Sequence, residues 1–192
     1  MKKSFISGAV LLILFLIVVS FQISCSGPEP KKEMTKAEMI AHGKYLVNAA
    51  GCNDCHSPKI MTPQGPVPDT TRLLSGHPAN EPMPEFDWKL INKKHLIIFA
   101  GDLTATAGPW GISYSANLTP DVETGSGGWQ EQMFINIMRT GKHLGAGRPI
   151  LPPMPWQNFG QLKDEDLKAI FAYLQSLPPI KNKVPDPTPP KM

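Results

Sequence analysis

Two cysteines, Cys52 and Cys55, bracket Asn53-Asp54 and are followed at once by His56, and this five-residue cluster constrains the chain more than any other feature. Two intervening residues put both thiols on one helical turn, so the pair cannot staple distant parts of a fold. The sequence holds 3 cysteines in all, and the third, Cys25, stands alone near the N-terminus. Stability must therefore come from a packed core rather than from disulfides. A thioredoxin-like CxxC would need a βαβ context, and a zinc site would need a second pair of ligands. The sequence offers neither.

What remains is CxxCH, the attachment signature for c-type haem, in which the thiols of Cys52 and Cys55 add across the porphyrin vinyl groups and His56 supplies the proximal iron ligand. A sixth ligand has to come from elsewhere, and a thioether suits a carrier because it stabilises ferrous iron. With 9 methionines, composition cannot choose among them. Position can: Met154 lies in Pro152-Pro153-Met154-Pro155-Trp156, where prolines fix the backbone and can hold a weak ligand in place. Met133 and Met138 fall on a helix face and read as core. Histidines also occur at 42, 77, 95 and 143, and bis-histidine ligation through His143 or His95 is the alternative. Arg139 and Arg148 lead up to Met154 and could meet the haem propionates, or could equally be solvated charges.

Around this cluster the chain divides readily. Lys2-Lys3 followed by the apolar run Ala9–Val19 reads as a secretory leader over residues 1–24, although a looser count from Phe5 to Ile23 leaves an uncleaved anchor open. Cys25 then resembles the lipid-acceptor cysteine of bacterial lipoproteins, with Gln22 where that pattern prefers leucine. Such an export signal implies a periplasmic location, membrane-anchored through lipid on Cys25 or else soluble. Residues 25–34 form a polar tether, 35–178 the folded domain, and 179–192 an extended, Pro-rich and solvent-exposed tail. Removing Lys2 and Lys3 from 19 basic residues leaves 17 against 16 acidic, a balance that argues against nucleic acid as a partner.

At least three helices are expected. Thr35 to Glu38 forms a capping box ahead of an apolar face of Ile40, Gly43, Leu46, Val47 and Ala50. Trp129 to Thr140 presents Trp129, Met133, Phe134 and Ile137 and ends at Gly141. Asp164-Glu165-Asp166 opens a third helix whose Leu167, Ile170, Phe171, Leu174 and Leu177 recur at helical spacing until Pro178-Pro179 stops it. Ser57 to Glu85, with seven prolines, reads as loop, and His95–Phe99 with Gly111–Asn117 as a small hairpin. The expected class is all-α, with long loops around one covalently bound haem.

Several stretches add a family likeness. Ala116-Asn117-Leu118-Thr119-Pro120-Asp121, the Trp129 helix ending in Arg139-Thr140-Gly141-Lys142, Pro153-Met154-Pro155-Trp156, and Asp164 through Ala172-Tyr173-Leu174 to Pro178-Pro179 resemble the class I cytochrome c superfamily. The likeness is strongest to bacterial cytochromes c that serve as electron-transfer subunits or partners of dehydrogenases and respiratory complexes, and an oxidase or another carrier is the expected electron acceptor. It implies a one-electron carrier rather than an enzyme, with Met154 as distal ligand and the first helix, around Gly43 and Tyr45, crossing the last around Tyr173. A peroxidase-like enzyme or a haem sensor is the rival, since either needs an open distal position. Relatives often carry two or three haem motifs, whereas this sequence has one, and residues 57–116 exceed what a minimal domain needs.

Overall fold

The first helix, α1 (Lys36–Ala49), begins where the capping box places it: the Thr35 hydroxyl accepts from the Glu38 amide, and the Glu38 carboxylate accepts from the Thr35 amide. The structure is a computed structural model that describes residues 33–81, 83 and 85–191. The leader, the suspected lipid acceptor Cys25 and most of the tether lie outside these residues. Met34–Met192 forms one compact unit. Among the described residues no helix is long and apolar enough to cross a membrane.

Gly51, at φ 68, turns the chain out of α1 and into the short helix α2 (Cys52–His56). Then come β1 (Lys59–Thr62), β2 (Gly65–Pro68), α3 (Trp88–Lys94), β3 (Ile98–Phe99), β4 (Ala105–Gly108), β5 (Gly111–Tyr114), α4 (Glu131–Thr140), α5 (Trp156–Phe159) and α6 (Asp164–Gln175). β1 and β2 make an antiparallel hairpin, and β3-β4-β5 make an antiparallel three-stranded sheet.

The all-α expectation, with a possible small hairpin, is met only in part: residues 57–116 add a helix but also build two small antiparallel sheets. Gly65 (φ 113) and Gly111 (φ 98) adopt backbone angles that close tight hairpins, so a proline-rich stretch still pairs. The expected partnership of His95–Phe99 with Gly111–Asn117 is also corrected. β4 lies between them, and its Ala-Thr-Ala-Gly composition carries no apolar signature even though all four residues are buried. α3 runs for seven residues, capped by the Asp87 carboxylate on the Leu90 amide.

Two cores result. Val47 of α1, Phe134 and Ile135 of α4, Leu167, Ile170, Phe171 and Leu174 of α6, and Leu74 form the main one. Phe134 and Phe171 stack with centroids 5.5 Å apart. Ile91, Ala107 and Ile112 anchor the second, under β3-β4-β5. Gly43 brings α1 against α6 at backbone contact, as a Cβ there would lie 1.8 Å from the Ala169 carbonyl oxygen. His42 pairs with Asp166 across the same crossing at 2.8 Å. Tyr45, by contrast, is 66% exposed and takes little part.

The tail is extended but not free in solvent. Thr188 exchanges backbone hydrogen bonds with Ile112 (2.8 and 3.0 Å), and Asn182 donates to the carbonyls of Ser75 and His77 at 2.7 and 2.9 Å. Asn117, 3% exposed, donates to the Ile180 carbonyl at 2.8 Å. These bonds close the chain's end over the 57–116 segment.

Candidate functional site

Cys52 and Cys55 occupy α2, and Ser57 fixes the end of that helix. Fully buried, Ser57 donates to the Asn53 side-chain oxygen (2.8 Å) and accepts from the Leu74 amide (2.8 Å). Lys59 braces the helix further, donating to the carbonyls of Asp54, Ser57 and Asp102 at 2.6, 3.1 and 2.7 Å. Neither cysteine is in a disulfide. Burial raises the Cys52 pKa to about 11 and pushes Cys55 upward too. Redox-active CxxC pairs depend on depressed thiol pKa values, and burial here acts in the opposite direction. Among the described residues no group of three or more His, Cys, Asp or Glu side chains could hold a metal ion.

His56 closes α2, and its Nδ1 donates to the Ala116 carbonyl at 2.8 Å. That bond fixes the ring and leaves Nε2 able to meet a metal, the arrangement expected of a metal-binding imidazole. Desolvation holds the His56 pKa below its ordinary value, while the Ala116 carbonyl pulls the other way. Gly76 makes the bond possible. It donates to the His56 carbonyl at 2.8 Å, and at φ 78 it sits so close to residues 115 and 116 that a Cβ would lie 2.5 Å from the Ser115 carbonyl oxygen.

A cavity of about 340 Å³ opens against α2, within the roughly 300–1,000 Å³ range of cofactor pockets. Cys52, Cys55 and His56 line it, and so does Met154. Its walls are apolar side chains of α1, α4 and α6, with Leu151, Pro153 and Phe159 from the segment around Met154. Ser113 of β5 ties that segment down by donating to the Pro152 carbonyl at 2.6 Å. Gly141 (φ 63) lets Trp156 pack against the end of α4, since a Cβ would meet the indole at 2.2 Å.

Arg148 and His143 also line the cavity, whereas Arg139 does not. The Arg139 guanidinium is committed to the Gly160 carbonyl and to Asp164 (2.5 Å), fastening α4 to the start of α6. His95 is exposed at the end of α3 and away from the lining, so the bis-histidine alternative reduces to His143. Burial, and next Arg148, hold the His143 pKa below its ordinary value. His42 is paired with Asp166, and His77 is bonded to Thr104 and the Glu81 carbonyl. Sequence reasoning missed the parts played by Ala116, Gly76 and Ser113. Ala116 sat inside a quoted motif, but a backbone acceptor leaves no side-chain signal.

The donor set fits an iron-porphyrin. Two thiols three residues apart, an imidazole held through Nδ1 and a thioether share one apolar chamber long enough to involve three helices. The family model for cytochrome c matches residues 40–178. The chain is 31% identical over 149 residues to one of the subunits of nicotinate dehydrogenase from Pseudomonas putida, covering 78% of this chain and 9% of that protein. It is 35% identical over 151 residues to the cytochrome c subunit of the quinone alcohol dehydrogenase of Gluconobacter oxydans, covering 77% and 24%. With the gluconate 2-dehydrogenase cytochrome c subunit of Pantoea cypripedii the identity is 30% over 135 residues, covering 70% and 22%. The chain thus spans a quarter or less of these relatives' own length. A matched family model over most of the folded residues, with the attachment motif and its cavity inside it, makes this chain a member of the cytochrome c family.

Proposed function

We propose that the chain is a one-electron carrier holding a single haem c, with Cys52 and Cys55 as the covalent attachment points and His56 and Met154 as axial ligands. One observation carries the reading: these four side chains line one apolar cavity, and the His56 ring is fixed by its bond to Ala116. When bound, the haem supplies reversible one-electron chemistry at its iron. The protein's part is to bind, orient and exclude water. Ala116 keeps the imidazole in the tautomer that presents Nε2, Ser113 anchors the segment bearing Met154, and the helices supply a low-dielectric wall. Arg148, at the lining, is the residue suited to a propionate.

The single CxxCH in 192 residues supports one haem. Relatives named as cytochrome c subunits of dehydrogenases support a redox-protein partner, with electrons arriving from a dehydrogenase or respiratory complex and leaving for a downstream acceptor. The leader pattern and Cys25 support export to the periplasmic side with a lipid anchor. Voltammetry of the matured protein should give a reversible one-electron wave, and the ferrous form should resist carbon monoxide. Rapid carbon monoxide binding together with turnover of peroxide would instead make it a haem enzyme.

A further inference from the structure

The segment Trp88–Phe99 has one face committed to the second core and an outward side on which Asn92 donates to the Lys191 carbonyl at 3.0 Å. Ile91 is fully buried, and Ile98 packs with it against Ala107 and Ile112. The segment is thus held in a fixed orientation. Its outward side nevertheless carries Leu90, Leu96, Ile97 and Phe99 at 45, 38, 51 and 43% exposure. Beside them stand Lys89, Lys93 and Lys94, all exposed, and none makes an ion pair among the described residues. The stretch Trp88 to Gly101 has no acidic residue and is bounded by Asp87, which caps α3, and by Asp102.

Three lysines without ion pairs, interleaved with large apolar side chains, match an interface that is negative outside and hydrocarbon beneath. Lysines meet anionic headgroups while leucine, isoleucine and phenylalanine enter the acyl boundary. None of these side chains lines the haem cavity or the cavity around Arg72 and Lys183, and a lipid surface requires no pocket. β3, which bears Phe99, is also the outer strand of its sheet, which puts the patch at the sheet's edge.

We propose that the outward face of Trp88–Phe99 docks on an anionic lipid surface, giving residues 57–116 a purpose that the haem site does not require. Such docking would orient the domain on a membrane whatever holds its N-terminus. The test is hydrogen–deuterium exchange on the full matured chain, reconstituted with phosphatidylcholine vesicles or with mixed phosphatidylcholine–phosphatidylglycerol vesicles. Exchange over Leu90–Phe99 should slow only with the mixed vesicles, while α6 serves as an internal control for folding. Replacing Lys89, Lys93 and Lys94 by glutamine should weaken the contact on the order of a hundredfold, at the strength expected per lysine near an anionic surface, and restore free exchange. A Leu96→Ser/Ile97→Ser/Phe99→Ser variant should do the same.

Equal protection in both vesicle types, unaffected by the glutamines, would overturn the proposal, as would no protection in either. Protection by polyglutamate but not by vesicles would assign the lysines to an acidic protein instead. Protection that appears on concentrating the vesicle-free protein would mean self-association, and would equally refute lipid docking.

Discussion

Replacing Met154 by alanine is expected to leave the haem covalently attached and to lower its reduction potential by on the order of 100 mV, a fraction of the roughly 0.8 V that axial ligands span. A thioether favours ferrous iron; without it the ferric form gains ground. The near-infrared sulfur-to-iron band of the ferric protein should vanish, and carbon monoxide should bind the reduced form rapidly. His143 lines the same cavity and could take over as a ligand, so the cleanest comparison places the change in a His143→Gln background. Each variant keeps Cys52, Cys55 and His56, which separates loss of ligation from loss of haem. A Met154→Ala protein that retains the band would remove Met154 from the site.

Gly43→Ala should be the most damaging single methyl group in the molecule. Its Cβ would stand 1.8 Å from the Ala169 carbonyl oxygen, 2.5 Å from the Ala169 carbonyl carbon and 2.9 Å from the Tyr173 Cβ. Two of those atoms are backbone, so no rotamer change relieves the clash, and α1 and α6 must move apart. Val47, Leu167, Ile170 and Leu174 share that crossing's core, and separation loosens all of them. Overpacking costs about 1–3 kcal/mol where side chains can yield, and here the upper end or more applies. At roughly 2–4 °C per kcal/mol for a chain of this size, Tm should fall by about 6–12 °C or more in thermal unfolding of the holoprotein. Alanine tolerated without change would mean that the helices cross elsewhere.

These two residues also mark what a linear reading could and could not reveal. Gly43 reads as one member of an apolar face, and only the family likeness places it at a helix crossing, whereas Met154 stands out between prolines. The capping box at Thr35 and the acidic start of α6 were equally plain, because their chemistry is confined to a few neighbouring residues. β4 was opaque for the opposite reason. Ala105, Thr106, Ala107 and Gly108 are small, so what makes them a central strand is burial between two neighbours, which no local pattern encodes. The β1–β2 hairpin was hidden by its prolines. Pro68 pairs with Lys59 and Pro66 with Met61, and a hairpin with free outer edges tolerates such residues.

The site divides in the same way. The thiols, the imidazole and the thioether were readable as residue types, whereas the group orienting the imidazole is a carbonyl 60 residues away in sequence. Arg139 and Arg148 looked interchangeable from their positions. Only the fold separates them, since Asp164 and Gly160 claim the first while the second lines the cavity. The tail shows the same limit: its prolines foretold an extended chain, but Asn182 and Thr188 tie it to partners more than 70 residues earlier.

The measurement closest to the central claim is the intact mass of the chain after export alongside a working haem-ligation apparatus, taken under denaturing conditions. The mass should exceed that of the processed polypeptide by a single haem, and both Cys52→Ala and Cys55→Ala should weaken or abolish that increment. A colourless product at the bare polypeptide mass, or a pigment that acidified solvent extracts completely from the unaltered protein, would contradict covalent attachment through this motif and the electron-carrying role built on it.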